Sequence, residues 1–146
     1  MNTSSKIKIW TIILQALIVV GFGHGIIPFI GIEIYWFPYF TKEHFSFAPD
    51  APFEGHLPVI GLITLLGQAS LVTSMVHQKK LVKNITQVTG LILLWISIAY
   101  FIYNSERSNN IYFVFITSLP FTVLTLLTFA QKPLKRLYNA IIETIA

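Results

Sequence analysis

Four long apolar stretches without charged residues divide this chain of 146 residues, and they cover residues 9–27, 57–76, 85–103 and 111–130. Each comes close to the ~20 residues that a helix needs to cross the hydrocarbon core of a bilayer. Because backbone N–H and C=O groups in hydrocarbon must be satisfied within their own segment, continuous apolar runs of this length predict helices. The pattern therefore predicts an all-α polytopic membrane protein, a bundle of four transmembrane helices in a single membrane domain.

The segments between and after these stretches predict two further features. Residues 28–56 form a long connection rich in aromatic residues, and amphipathic rings favour the headgroup level of a membrane. We therefore expect an outer loop that lies on the membrane surface. In the tail, residues 132–146, four apolar residues recur at helical spacing: Leu134, Leu137, Ile141 and Ile145. This spacing predicts a short amphipathic helix, either on the anionic cytoplasmic leaflet or packed on the bundle or a neighbouring subunit.

The charges support a membrane location and orient the helices. The chain is 54% hydrophobic and only 11% charged, whereas a soluble domain carries about a quarter charged residues. Eight of the ten basic residues fall on one side of the predicted bundle: Lys6, Lys8, Lys79, Lys80, Lys83, Lys132, Lys135 and Arg136. By the positive-inside rule, both termini are expected on the cytoplasmic side of the cell membrane. The net charge of +4 is thus explained by topology, and no nucleic-acid partner is predicted.

Three glutamines, one in each of three predicted spans, are the first candidate functional residues: Gln15, Gln68 and Gln87. A glutamine side chain in lipid needs a partner, so these are expected to point inward and form a polar seam. The seam would hold the helices together or, alternatively, line a permeation path or a ligand cavity. No ionisable residue lies near the middle of a predicted span, which argues against proton-coupled transport. The absence of cysteine excludes thiolate metal sites and thiol chemistry.

A second candidate site lies at the predicted outer ends of the first two helices. His24 and His56 are expected at the same membrane depth, with Glu54 two residues from His56 and His44 in the intervening loop. Imidazole and carboxylate together suit a divalent transition metal, and the two histidines could instead bind a haem iron. A His–Glu pair could also act as general acid and base on a lipid headgroup. The alternative is that the rings lie at the interface and the loop acids face water.

The glycine, histidine and proline positions resemble those of the DoxX-like family of small four-helix bacterial membrane proteins. Shared features are Gly21, Gly23 and His24 in the first predicted helix, the run Leu57-Pro58-Val59-Ile60-Gly61 followed by Leu65-Leu66-Gly67, the basic turn Lys79-Lys80-Leu81-Val82-Lys83, and Gly90. The resemblance implies a four-helix membrane fold with associations to quinone-linked and redox membrane systems. The long outer loop is a departure from the family pattern.

Three functional hypotheses follow. The first is an accessory or subunit-type membrane component without chemistry of its own, whose helices pack against partners in a homo- or hetero-oligomer. The second is a redox, metal-binding or haem-binding protein, or a lipid-headgroup enzyme, with its site around His24, Glu54 and His56. The third is an oligomeric pore or lipid-binding bundle.

Overall fold

A computed structural model of the chain describes residues 3–22, 25–36, 53–105 and 112–128. In chain order the elements are helix α1 (Thr3–Ala16), strands β1 (Val19–Phe22) and β2 (Gly25–Pro28), and helices α2 (Phe29–Trp36), α3 (Phe53–Val76), α4 (Lys80–Ser105) and α5 (Tyr112–Thr128). The fold is mostly helical. The stretches Gly55–Val76 in α3 and Lys80–Tyr103 in α4 are long and apolar enough to cross a membrane, and α5 is apolar but shorter.

The first predicted span differs from the prediction, since residues 9–27 do not form one continuous helix. Helix α1 ends at Ala16, and β1 and β2 follow as an antiparallel hairpin in which Val19 pairs with Pro28 and Val20 with Ile27. The fold class is therefore not purely all-α, because a two-stranded hairpin lies among the helices.

The sequence of the hairpin explains why the helix stops. Glycines occur at alternate positions, Gly21, Gly23 and Gly25, and each is about 1 kcal/mol less favourable than alanine within a helix. Val19 and Val20 are β-branched, which favours extended backbone. Apolar composition alone did not distinguish this segment from a helix.

The hairpin is closed by backbone contacts and anchored on α5. The Phe29 N–H donates to the Ile18 carbonyl at 2.8 Å. The Val19 N–H points away from β2 and donates to the Thr117 hydroxyl of α5 at 3.0 Å. Ile18 and Val20 are fully buried. These two residues of the segment between α1 and α2 are therefore covered by other parts of the protein, whereas Leu17 and Ile26 in the same segment are 57% and 60% exposed.

Helices α3 and α4 form an antiparallel pair with direct backbone contact. A Cβ atom on Gly90 would lie 2.8 Å from the Gly67 carbonyl oxygen, and one on Gly67 would lie 3.1 Å from the Gly90 carbonyl oxygen. Small residues at such a crossing allow helices in membranes to approach closely. Elsewhere on their surfaces, α4 and α5 expose a series of large apolar side chains, among them Ile85, Ile92, Ile96, Ile116 and Val123.

The rest of the predicted outer loop, residues 37–52, and the predicted tail helix, residues 132–146, lie outside the described residues. Within the described part, the start of that loop forms α2, and α4 begins at Lys80, before the start predicted at residue 85.

Candidate functional site

Three side chains from three different helices form a buried polar cluster. The Gln68 Nε2 atom donates hydrogen bonds to Gln15 Oε1 at 2.9 Å and to Glu33 Oε1 at 2.9 Å. Gln15 is fully buried and Glu33 is 5% exposed. Gln68 lies within the apolar stretch of α3 that is long enough to span a membrane. We refer to these three residues as the carboxyl–amide cluster.

Helical spacing on α1 explains how Gln15 reaches α3. Lys8, Thr11 and Gln15 are separated by three and four residues, which places them on one face of a helix, and all three are buried. The Lys8 Nζ atom donates to the Ser74 Oγ atom at 2.9 Å, while Gln15 accepts from Gln68. These two contacts show that α1 runs antiparallel to α3 with a polar interface.

The Glu33 carboxyl is in an environment that disfavours its charged form. Helix α2, with eight residues, is too short to span a bilayer and packs against α3. Burial raises the pKa of Glu33 to about 7, and the hydrogen bond from Gln68 acts in the opposite direction. No basic side chain in the described part of the chain contributes to this pKa. Burial therefore favours the protonated form of this carboxyl.

The Gln15 amide in the carboxyl–amide cluster has a hydrogen-bond donor that is not used. Its Nε2 atom is buried and has no hydrogen-bond partner among the described residues. Reversing the amide would point its NH₂ group at the NH₂ group of Gln68, so the contact with Gln68 determines the orientation. A buried donor without a partner costs about 1–3 kcal/mol. The cluster thus combines a carboxyl group with a free N–H group.

Lys8 is a second buried ionisable group at the opposite end of the α1–α3 interface. Its side chain is 3% exposed. Seven residues of helix, about 10 Å, separate Lys8 from Gln15. The interface therefore has a buried base near one end and a buried acid at the other.

His56, predicted as a metal or haem ligand, lies at the start of α3 and faces α4. Its Nδ1 atom lies 2.9 Å from the Tyr100 hydroxyl, and the rings meet edge to face with centroids 5.7 Å apart. The imidazole is 2% exposed. The Nδ1 atom is therefore engaged with α4.

The other predicted members of that outer site lie largely outside the description. His24, His44 and the side chain of Glu54 are not among the described groups. In the part of the chain that is described, no group of three or more His, Asp or Glu side chains is placed to bind a metal ion. A metal or haem site around His24, Glu54 and His56 remains a prediction.

The polar seam has a different composition from the predicted one. Gln15 and Gln68 meet, but the third member is Glu33. Gln87 is half-buried on α4, and Gln68 bonds to Gln15 and Glu33 instead. Residue 33 belongs to the predicted outer loop, residues 28–56, and was not expected to join the seam. The sequence did contain a signal, because Glu33 is the one charged residue in the apolar run Phe29–Trp36.

Comparisons of the chain with protein-family models, with curated proteins and with solved structures find no match. The resemblance to the DoxX-like family therefore rests on the sequence positions alone.

Proposed function

We propose that the chain is an integral protein of the cytoplasmic membrane that crosses the bilayer four times, with both termini in the cytoplasm. Four alternating crossings are supported by three observations. Helices α3 and α4 are long enough to span, α5 is apolar, and α1 lies antiparallel to α3. The first crossing would include α1, with the hairpin packed beside it. Non-helical backbone is tolerated at membrane depth when protein buries it, as it does at Ile18 and Val20.

The absence of cysteine makes this topology directly testable. Single cysteines at Asp50 and at Gln78 would be treated with a membrane-impermeant maleimide in intact cells and in inverted membrane vesicles. We expect Asp50→Cys to react in intact cells and Gln78→Cys to react in inverted vesicles. The reverse pattern would overturn the orientation, and reaction of both from the same side would overturn the second crossing.

We further propose that the protein takes up and releases a proton at Glu33, so that its membrane function is linked to protonation. The observation that carries this proposal is the buried Glu33 carboxyl whose hydrogen-bond donor, Gln68, is uncharged. An ionisable residue packed against a membrane span is a marker of proton or ion handling. The accessory hypothesis relied on the apparent absence of such groups.

A proton fits the carboxyl–amide cluster better than a bulky ligand does. Two grooves along the described residues are lined by α3 and its following loop, residues 72–79, and by the outer face of α4, residues 92–99. Neither groove includes a member of the cluster. A proton needs no cavity, and it neutralises the carboxyl without displacing a side chain.

Protonation would also change how the three helices are connected. A protonated Glu33 carries an O–H donor, which the Gln68 carbonyl oxygen accepts once the amide of Gln68 reverses. The same oxygen can accept from Gln15 when that amide reverses as well, so the buried N–H of Gln15 gains a partner. The two protonation states therefore favour two different hydrogen-bond arrangements across α1, α2 and α3.

Infrared spectroscopy of the full-length protein in lipid nanodiscs tests this proposal. We expect a carboxylic-acid C=O band that disappears as pH rises through about 7 and that is missing in Glu33→Gln. Glu43→Gln, which removes a carboxyl from the predicted outer loop, is the matched control and should keep the band. If Glu33→Gln leaves every titrating band in place, proton binding at Glu33 is wrong and an accessory role is favoured.

A further inference from the structure

A groove runs along the last turns of α3 and the loop that follows. Its volume is about 620 Å³, and it is lined by Val72, Thr73, Val76, His77, Gln78 and Lys79. This volume lies within the range of about 300–1,000 Å³ that is usual for small-molecule sites. None of these residues belongs to the carboxyl–amide cluster, so the groove is separate from it.

The groove has an apolar half and a polar half. Val72 and Val76 are 46% and 78% exposed, and they form an apolar wall on the helix. His77, Gln78 and Lys79 are exposed and follow directly at the C-terminal end of the candidate span. A wall of valines that ends in hydrogen-bond donors matches a molecule with an acyl chain and a polar headgroup. The end of a span is also the depth at which lipid headgroups lie.

The charge around the groove selects an anionic occupant. Lys79, Lys80 and Lys83 lie within five residues of one another, and no acidic residue occurs anywhere between positions 55 and 105. The described residues at this end of the bundle thus supply positive charge with no carboxylate to balance it.

The tail of the chain is a poor candidate for this occupant. Residues 132–146 contain three basic residues, Lys132, Lys135 and Arg136, against a single acid, Glu143. A basic segment placed beside Lys79 and Lys80 would add repulsion. An anion from the bilayer would relieve the repulsion instead.

We propose that this groove binds an anionic phospholipid, with its phosphate at His77, Gln78 and Lys79 and an acyl chain along Val72 and Val76. Basic side chains near a membrane surface attract anionic lipids by about 1 kcal/mol each, which corresponds to roughly fivefold in affinity. If the site is specific, removing a lysine that lines the groove should weaken lipid binding more than removing a lysine outside it.

Native mass spectrometry of the full-length protein, titrated in detergent with phosphatidylglycerol or with phosphatidylcholine of identical chains, tests the proposal. We expect retention of phosphatidylglycerol over phosphatidylcholine, and about fivefold weaker retention of phosphatidylglycerol in Lys79→Gln. Lys80→Gln removes the same charge one residue outside the groove lining and should stay within twofold of the wild type.

A second variant tests the apolar half without altering charge. Val72→Trp fills the groove from an exposed position, so folding should be preserved while lipid retention falls as it does in Lys79→Gln. Equal losses in Lys79→Gln and Lys80→Gln would show a diffuse basic surface and overturn the site. Equal retention of the two lipids, or undiminished retention in Val72→Trp, would overturn it as well.

Discussion

Replacing Glu33 by glutamine should remove most of the pH dependence of stability between pH 5 and 8. The glutamine keeps the size of the side chain and an oxygen that can accept from Gln68, but it cannot ionise. Burial raises the pKa of Glu33 from the ordinary 4.5 to about 7. Since one pKa unit corresponds to about 1.4 kcal/mol, ionising this group in the folded protein costs roughly 3 kcal/mol.

The sign of the effect follows from proton binding. Between pH 4.5 and about 7 the folded protein holds the Glu33 proton more tightly than the unfolded chain does. The free energy of unfolding is therefore highest at low pH and decreases as pH rises through this window. Above about pH 7 the whole penalty is present. Glu33→Gln avoids the penalty, so it should equal the wild type near pH 5 and exceed it at pH 8.

Thermal unfolding of the full-length protein in detergent micelles, followed by tryptophan fluorescence from pH 5 to 8, measures this effect. The quantity compared is the difference in the free energy of unfolding between wild type and Glu33→Gln at each pH. Taking this difference cancels the titration of histidines, which both proteins share. Glu43→Gln provides the control and should reproduce the wild-type slope. A wild-type slope that persists in Glu33→Gln would refute the assignment of the pH dependence to this carboxyl.

Three further predictions concern stability, each measured as a change in the free energy of unfolding in the same micelles. Gly90→Ala should destabilise the protein by about 1–3 kcal/mol, because the new Cβ would lie 2.8 Å from the Gly67 carbonyl oxygen. A neutral effect would show that α3 and α4 separate freely. Gln68→Leu should lower the free energy of unfolding by about 1–3 kcal/mol, since it leaves Glu33 and Gln15 without their shared donor. Gln15→Leu should be near neutral, because it also deletes an unpartnered N–H. Equal effects of the two variants would contradict the hydrogen-bond arrangement. Thr117→Val should cost about 1–3 kcal/mol, because the Val19 N–H loses its acceptor, and an unchanged stability would show that the hairpin does not depend on α5.

The sequence by itself determined the helices whose signal is local. Residues 57–76, 85–103 and 112–128 are helical in the structure as the apolar runs predicted, because a backbone in apolar surroundings satisfies its N–H and C=O groups within a continuous helix. The inward direction of Gln15 and Gln68 was also predictable, since an amide in an apolar segment needs a partner.

The tertiary structure decided which groups meet. Gln68 joins residues that are 53 and 35 positions away along the chain, and His56 meets Tyr100 across 44 positions. Such pairings depend on how each helix is rotated and on how far one slides along the next, and neither quantity is encoded in a local pattern. The break of the first predicted span has the same cause. Glycines and β-branched residues permit a hairpin there, but burial of Ile18 and Val20 and the hydroxyl of Thr117 stabilise it, and those contacts exist only once the helices have packed.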